Sequence, residues 1–297
     1  MIRTIAVAAA LALPLICSPS AGARPLQDHW KLVDEGLGRG GTTQPDGVRR
    51  YSFPRSDLNV QLDGVTIRPA LALGSWLAFQ KVGDRTMVMG DLVLTHEEVN
   101  PVMTELLERG ITVTALHNHL LRSSPATMYM HVKGHGDPWE LAVALRTALA
   151  ESRTPMQSAP PAAEARLDLD TGALDRILGR QAKANGGVYQ FVIARPERLT
   201  DHGAPAPETM GTGTVLNFQP LGGGRAAVTG DFVLLDSEVN PVMRALRAAN
   251  IEVTALHNHM LDDQPRLFFM HFWAVGNSAQ LATTLRAALD RTNVTRH

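Results

Sequence analysis

The sequence predicts an α+β protein made of two tandem copies of one domain, each a mainly antiparallel sheet with packed helices. Three observations predict it. Hydrophobic residues make up 44% of the 297 residues and charged residues 19%, which suits a packed globular chain. Whole motifs recur 140 residues apart: Gly90-Asp91-Leu92-Val93-Leu94 as Gly230-Asp231-Phe232-Val233-Leu234, and Glu98-Val99-Asn100-Pro101-Val102-Met103 as Glu238-Val239-Asn240-Pro241-Val242-Met243. At the same offset, Val113 to His119 returns as Val253 to His259, and Met130-His131 as Met270-His271. A period near 140 is a domain length and not a solenoid repeat. Within one copy, runs with strand alternation are interleaved with helical periodicity and tight turns, which is the α+β pattern.

The first residues read as a leader. Arg3 is followed by an apolar run from Ile5 to Ile16, and Ala21-Gly22-Ala23 has the small-x-small pattern of a cleavage site. Residues 1–23 are therefore expected to be a signal peptide. The polar Gln27-Asp28-His29 soon after argues against a buried N-terminal helix. Cys17 is the only cysteine and lies in the leader. Pro14-Leu15-Ile16 lacks the small residue expected before a lipidated cysteine, so a soluble exported product is expected in preference to a lipoprotein. The mature chain would carry 27 basic against 29 acidic residues. That balance predicts no general attraction to nucleic acid or anionic lipid. No later stretch is long and apolar enough to predict a transmembrane segment.

In the first copy, residues 24–153, Trp30 to Leu37 has helical spacing and stops at Gly38. Strands are expected at Val48–Phe53, Asn59–Leu62, Thr66–Ala70, Ser75–Lys81 and Thr86–Leu94. Thr95 and Glu98 have capping-box spacing before a helix over Val99–Arg109; Asn100-Pro101 is the alternative start. Gly110, and Asn250 in the second copy, suit the left-handed turn that ends it. Ile111–Leu121 reads as a strand, Ser123-Ser124-Pro125 as a turn, and Thr127–Lys133 as its antiparallel return. Trp139–Ser152 closes the copy as an amphipathic helix. Residues 154–165, with Pro155, Pro160 and Pro161, read as a semi-rigid linker to the second copy, residues 166–297. Gly222-Gly223-Gly224 lies between two strands and reads as a hairpin, not a phosphate cradle.

The chemistry concentrates on histidine. His117 and His119 alternate on a predicted strand, so both rings face one side, roughly 6.5–7 Å apart. With a hairpin loop at 122–126, His131 falls opposite His117 on that face. Three neutral imidazoles converging from two strands suit a divalent zinc, copper, iron or nickel ion. His257, His259 and His271 repeat the pattern. The alternative is that these rings are hydrogen-bonded core residues, with Asn118 and Asn258 a polar scaffold on the opposite face. Glu98 is the candidate proton-transfer group or fourth ligand; with Glu238, its other role is helix capping. Asp91 and Asp231 are either partners that orient an imidazole or turn residues. His135-Gly136-Asp137 occurs only in the first copy, where Asp137 would cap the last helix. No G-x-S-x-G, phosphate loop or dinucleotide fingerprint is present.

Pro54-Arg55-Ser56-Asp57-Leu58, Pro69 to Trp76, Gly90 to Leu94, Glu98-Val99-Asn100-Pro101 and Leu116-His117-Asn118-His119 together resemble the LppY/LpqO-like family of bacterial secreted proteins and lipoproteins. The second copy departs from it at Arg195-Pro196-Glu197-Arg198-Leu199 and at Gly213-Thr214, which no Trp follows. The resemblance implies export and no defined reaction, so no catalytic residue is carried over. Three functions are open from sequence: a metal-dependent enzyme outside the cytoplasm, a non-catalytic envelope module binding a metal ion or small molecule, and a structural protein.

Overall fold

The computed structural model describes residues 26–157 and 167–294. The expected signal peptide, 1–23, and linker residues 158–165 lie outside the described residues. In the first repeat the elements run α1 (Leu26–Leu37), β1 (Thr42–Thr43), β2 (Arg49–Pro54), β3 (Gln61–Leu62), β4 (Val65–Thr66), α2 (Pro69–Ala72), β5 (Gly74–Val82), β6 (Arg85–Thr95), α3 (His96–Glu108), β7 (Thr112–His117), β8 (Thr127–Gly136) and α4 (Pro138–Ala150). The second repeat runs α5 (Thr171–Leu178), β9 (Lys183–Asn185), β10 (Val188–Ile193), β11 (Thr200–Asp201), β12 (Ala204–Pro205), a 3-10 turn (Glu208–Met210), β13 (Thr214–Gly222), β14 (Arg225–Leu234), α6 (Asp236–Ala248), β15 (Glu252–His257), β16 (Asp263–Gln264), β17 (Phe268–Asn277) and α7 (Ser278–Leu289). Each repeat builds one six-stranded antiparallel sheet, in the order β1-β2-β5-β6-β8-β7 and β9-β10-β13-β14-β17-β15. The fold is α+β, as the residue pattern predicts.

Both faces of each sheet are buried. Alternate residues of β5, β6 and β8 (Leu77, Phe79, Val88, Leu92, Met130, Val132) pack beneath α1, α3 and α4. Phe232, Met270 and Phe272 do the same beneath the helices of the second repeat. The intervening residues face the other repeat. Val93 and Tyr129 join Val188, Ala227 and Trp273 in one shared core, and Met87, Met89 and Ala78 join Val233 and Phe269 in another. The result is four layers: helices, sheet, sheet, helices. Burying each such large apolar side chain contributes about 1.5–3 kcal/mol, so the seam between the repeats is a stabilising core. The two copies are not beads on a linker.

Each repeat also sends an arm over the other. Asn217 Nδ2 donates to the Leu71 carbonyl of α2 at 2.9 Å, and Gln219 Nε2 to the Thr66 carbonyl at 2.8 Å. Trp273 Nε1 donates to Asp63 at 2.9 Å. In the other direction, buried Asp201 on β11 forms an ion pair with Lys133.

Local differences from the sequence expectations have simple causes. The strand expected at Thr66–Ala70 stops at Thr66, and Pro69 opens the short helix α2, where its missing N–H costs nothing. Helix α3 starts at the capping box and not at Asn100: Glu98 Oε2 accepts from the Thr95 amide at 2.9 Å, and Pro101 sits inside the helix. Gly110 and Asn250 end α3 and α6 at φ 75° and 59°. Asp137 caps α4, accepting from the amides of Trp139 and Glu140. The strand expected to reach Leu121 ends at His117, and this shifts the histidines.

Candidate metal centre

The strands place the histidines on the inter-sheet face, beside the line where β7 and β15 approach one another. Because β7 ends at His117, the register pairs His117 with Tyr129 and Ala115 with His131. His131 is therefore diagonal to His117, not opposite it. Its neighbour across β6 is Asp91, and His271 faces Asp231 in the same way. His119 lies in the irregular segment after β7, yet its ring is 5.1 Å from that of His117. His117 and His131 are also 5.1 Å apart. His117 thus neighbours both other members of the expected triad, but the three do not form one of the donor groups lying within 4.8 Å of one another.

The shorter contacts, however, cross between the repeats. The rings of His117 and His257 stack at 3.4 Å between centroids and those of His119 and His271 at 3.7 Å, while those of His131 and His259 lie 3.7 Å apart and tilted. The expectation of one separate site per copy is corrected: all six histidines form one centre on the approximate two-fold relation of the repeats. The edges of this centre are pinned reciprocally. Thr114 Oγ1 donates to the His259 carbonyl and Thr254 Oγ1 to the His119 carbonyl, both at 2.6 Å. Asn258 Nδ2 reaches the Thr114 carbonyl at 3.1 Å and Asn118 Nδ2 the Thr254 carbonyl at 3.4 Å. The asparagines expected to be a polar scaffold thus bind the repeats together.

Five of the six rings are anchored on the backbone. Nδ1 of His117, His257 and His271 donates to the carbonyls of Asn118, Asn258 and Gly230 at 3.2, 3.1 and 2.8 Å. His131 and His259 bond backbone groups of Gly90 and Gly211. A ring whose Nδ1–H is donated presents Nε2 as a bare lone pair. All six Nε2 atoms are buried without a hydrogen-bond partner, as is Oδ1 of both Asp91 and Asp231. The carboxylates approach the rings: Asp91 to His119 Nε2 at 3.6 Å, and Asp231 to His259 Nε2 at 3.3 Å.

Burial sets the charge states. Loss of solvation, reinforced by neighbouring imidazoles, pushes His117 down to about 2. Burial does the same to His271, down to about 3, against the opposing pull of Asp231. His119, His131 and His259 are held well below the ordinary histidine range by the same desolvation, and His257 is lowered. Burial, with the charge of Asp231 added, lifts Asp91 to about 8, and burial raises Asp231. Six neutral imidazoles and two carboxyls with unmade bonds form a donor set for a cation.

Glu98 is committed elsewhere. Its carboxylate accepts from Arg55 at 2.8 and 3.1 Å, from the Thr95 amide and from the Arg153 amide. Arg55, fully buried, also pairs with Asp57. Glu238 repeats this with Arg195, Leu235 and Asn293. The groups of donors placed to hold an ion, among the described residues, include Asp231 and not Glu98. The expectation of a proton-transfer role for Glu98 is corrected to a helix-capping, ion-paired one. The two aspartates were legible only as possible partners of the rings; their recurrence with the histidines at the same spacing was the available signal.

The fold and site define a class: a duplicated α+β protein whose two halves share one buried histidine–aspartate centre. The chain belongs to the family described as Domain of Unknown Function (DUF1259), whose model matches residues 31–151 and again 172–291. No curated protein matches the chain. A solved structure, that of a trimeric bacterial microcompartment shell protein PduB, is similar at 12% identity over 84% of this chain and 88% of that chain, with a TM-score of 0.20. At that score it bears on neither fold nor function.

Proposed function

We propose that this protein binds a divalent transition metal through His117, His119, His131, His257, His259 and His271, with Asp91 and Asp231 as the anionic ligands. One observation carries the reading: six buried Nε2 atoms have no partner, and the histidines fall in overlapping groups of donors within 4.8 Å of one another. An unsatisfied buried polar group costs about 1–3 kcal/mol, and six together are sustained by an ion that uses them. Imidazole and carboxylate donors fit zinc, copper, iron or nickel. The leader and the resemblance to the LppY/LpqO-like family support action outside the cytoplasm. No helix among the described residues is long and apolar enough to cross a membrane. Metal binding, and not metal-assisted catalysis, is the function favoured: Glu98 and Glu238 are tied to Arg55 and Arg195, and the centre is enclosed between two sheets.

The test is elemental analysis after metal-stripped protein is exposed to zinc and desalted. Wild type is expected to retain zinc. The His117→Ala/His257→Ala variant is expected to lose most of it while keeping its far-ultraviolet circular dichroism. Glu98→Gln is expected to lower stability and leave the zinc content unchanged. Equal zinc in wild type and the double-histidine variant would overturn the assignment.

A further inference from the structure

Resting on that reading, we infer that the centre holds two ions, each in a set of three histidines and one aspartate that is completed by the opposite repeat. Among the groups of donors lying within 4.8 Å of one another are His117 with His119 and His271, and Asp231 with His257 and His259. These two groups share no residue, and no single group of donors within 4.8 Å of one another contains both. The remaining donors, Asp91 and His131, border these groups; Asp91 also lies 4.0 Å from His131 Nε2, and Asp231 3.9 Å from His271 Nδ1. Asp91 lies 3.6 Å from His119 Nε2, and the centroid of the His131 ring lies 3.7 Å from that of His259.

The first set is then Asp91, His117, His119 and His271; the second is Asp231, His257, His259 and His131. Shifting the first set by 140 residues turns Asp91, His117 and His119 into Asp231, His257 and His259, and the hairpin histidine is exchanged: His271 for His131. Each ion takes the His-x-His and aspartate of one repeat and the hairpin histidine of the other. A tetrahedral ion with ligand bonds of about 2.0–2.1 Å needs donors about 3.3–3.4 Å apart. The Asp231–His259 and Asp91–His119 separations of 3.3 and 3.6 Å are already close to that edge.

A third possible group, His117, His131 and His257, straddles both sets where the two central rings stack. A single ion there would leave the buried Nε2 atoms of His119, His259 and His271 unpaired. Two ions use every orphaned Nε2 in the centre.

The exchange makes a prediction that separates it from one site per repeat. Stripped wild-type protein is titrated with cobalt(II), read by its visible absorption, and with zinc, read by elemental analysis; two equivalents per chain are expected. His119→Ala/His271→Ala removes two ligands from one set and is expected to retain one ion. His119→Ala/His131→Ala removes one ligand from each set and is expected to weaken both sites and retain close to none. The reverse order, one ion with 119/131 replaced and none with 119/271 replaced, would mean that each repeat ligates its own ion and would overturn the exchange. A wild-type endpoint of one equivalent would overturn the two-ion centre, and binding of neither metal would instead defeat the proposed function itself. The same pairs made as His→Gln preserve bulk if an alanine variant fails to fold. Asp91→Asn, which alters only the first set, is expected to weaken one equivalent and leave the other.

Discussion

At the scale of single residues, the centre is defined by what its atoms lack. Five of the six rings bond the backbone through one nitrogen, and all six leave Nε2 bare, an arrangement that suits a metal-binding imidazole. The same burial gives the metal-free protein a pH signature. An unfolded chain protonates its histidines near pH 6.5, whereas the folded rings resist until far lower, about 3 for His271 and about 2 for His117. Below pH 6.5 the unfolded state therefore binds more protons, and stability falls as pH falls. Asp91 and Asp231 act in the opposite sense: the folded state keeps their protons, Asp91 up to about 8, so stability falls as pH rises from 4 toward 8. Six imidazoles outnumber two carboxyls below 6.5, and Asp91 dominates above it. Metal-stripped protein is expected to be most stable near pH 6.5–7 and to lose several kcal/mol by pH 5, measured by urea denaturation across that range. A stability that holds or rises toward pH 5 would contradict the buried, neutral state of the rings.

At the scale of elements, the strands β6 and β14 carry the aspartates, and their preceding glycines let the neighbouring strand lie close. A Cβ on Gly90 would meet Leu77 Cδ2 at 2.5 Å and the Trp76 carbonyl at 2.7 Å; on Gly230 it would meet the Val215 carbonyl at 1.9 Å. Beside Gly90 the leucine tip can yield and the Trp76 carbonyl must shift by a few tenths of an ångström, whereas the Val215 carbonyl overlaps so deeply that β13 itself must move. Gly90→Ala is expected to cost about 1–3 kcal/mol, and Gly230→Ala more, read by thermal unfolding. Equal tolerance of both would show that the strands slide freely, contrary to the regular pairing beside both glycines. The same elements explain Arg55-Ser56-Asp57 and Arg195-Pro196-Glu197. Their buried arginines hold Glu98 and Glu238 and the start of α3 and α6, not a substrate.

At the scale of the whole molecule, duplication has produced one body. Each sheet uses its second face on the other, and arms from each repeat hydrogen-bond across the seam. Neither half can expose that face cheaply, because several large apolar side chains would be returned to water. Metal-stripped protein is therefore expected to unfold in urea as one cooperative transition, coincident by tryptophan fluorescence and circular dichroism. Two resolved transitions would show that the repeats are independent domains.

Much of this was legible in the residues themselves. The α+β class, the tandem duplication, the six histidines and the capping-box start of α3 follow from periodicity and repetition, which are local properties of the chain. The end of β7 at His117 was not legible, since Asn118 to Leu121 is compatible with continued strand until the reciprocal bonds from Asn118 and Thr254 draw it out of the sheet. Glu98 was ambiguous because a carboxylate three residues into a helix caps it whether or not it does chemistry. Only the buried arginine across the fold decided that. Likewise the sequence determined that two equivalent sets of donors exist, but a repeat cannot say whether each copy keeps its own. Face-to-face packing of the sheets decides which rings are neighbours, bringing His271 to within 3.7 Å of His119 and His131 to within 3.7 Å of His259. The physical reason is that ligand sets depend on distances of a few ångströms across the seam, which are set by how the apolar faces pack and by nothing encoded in local spacing.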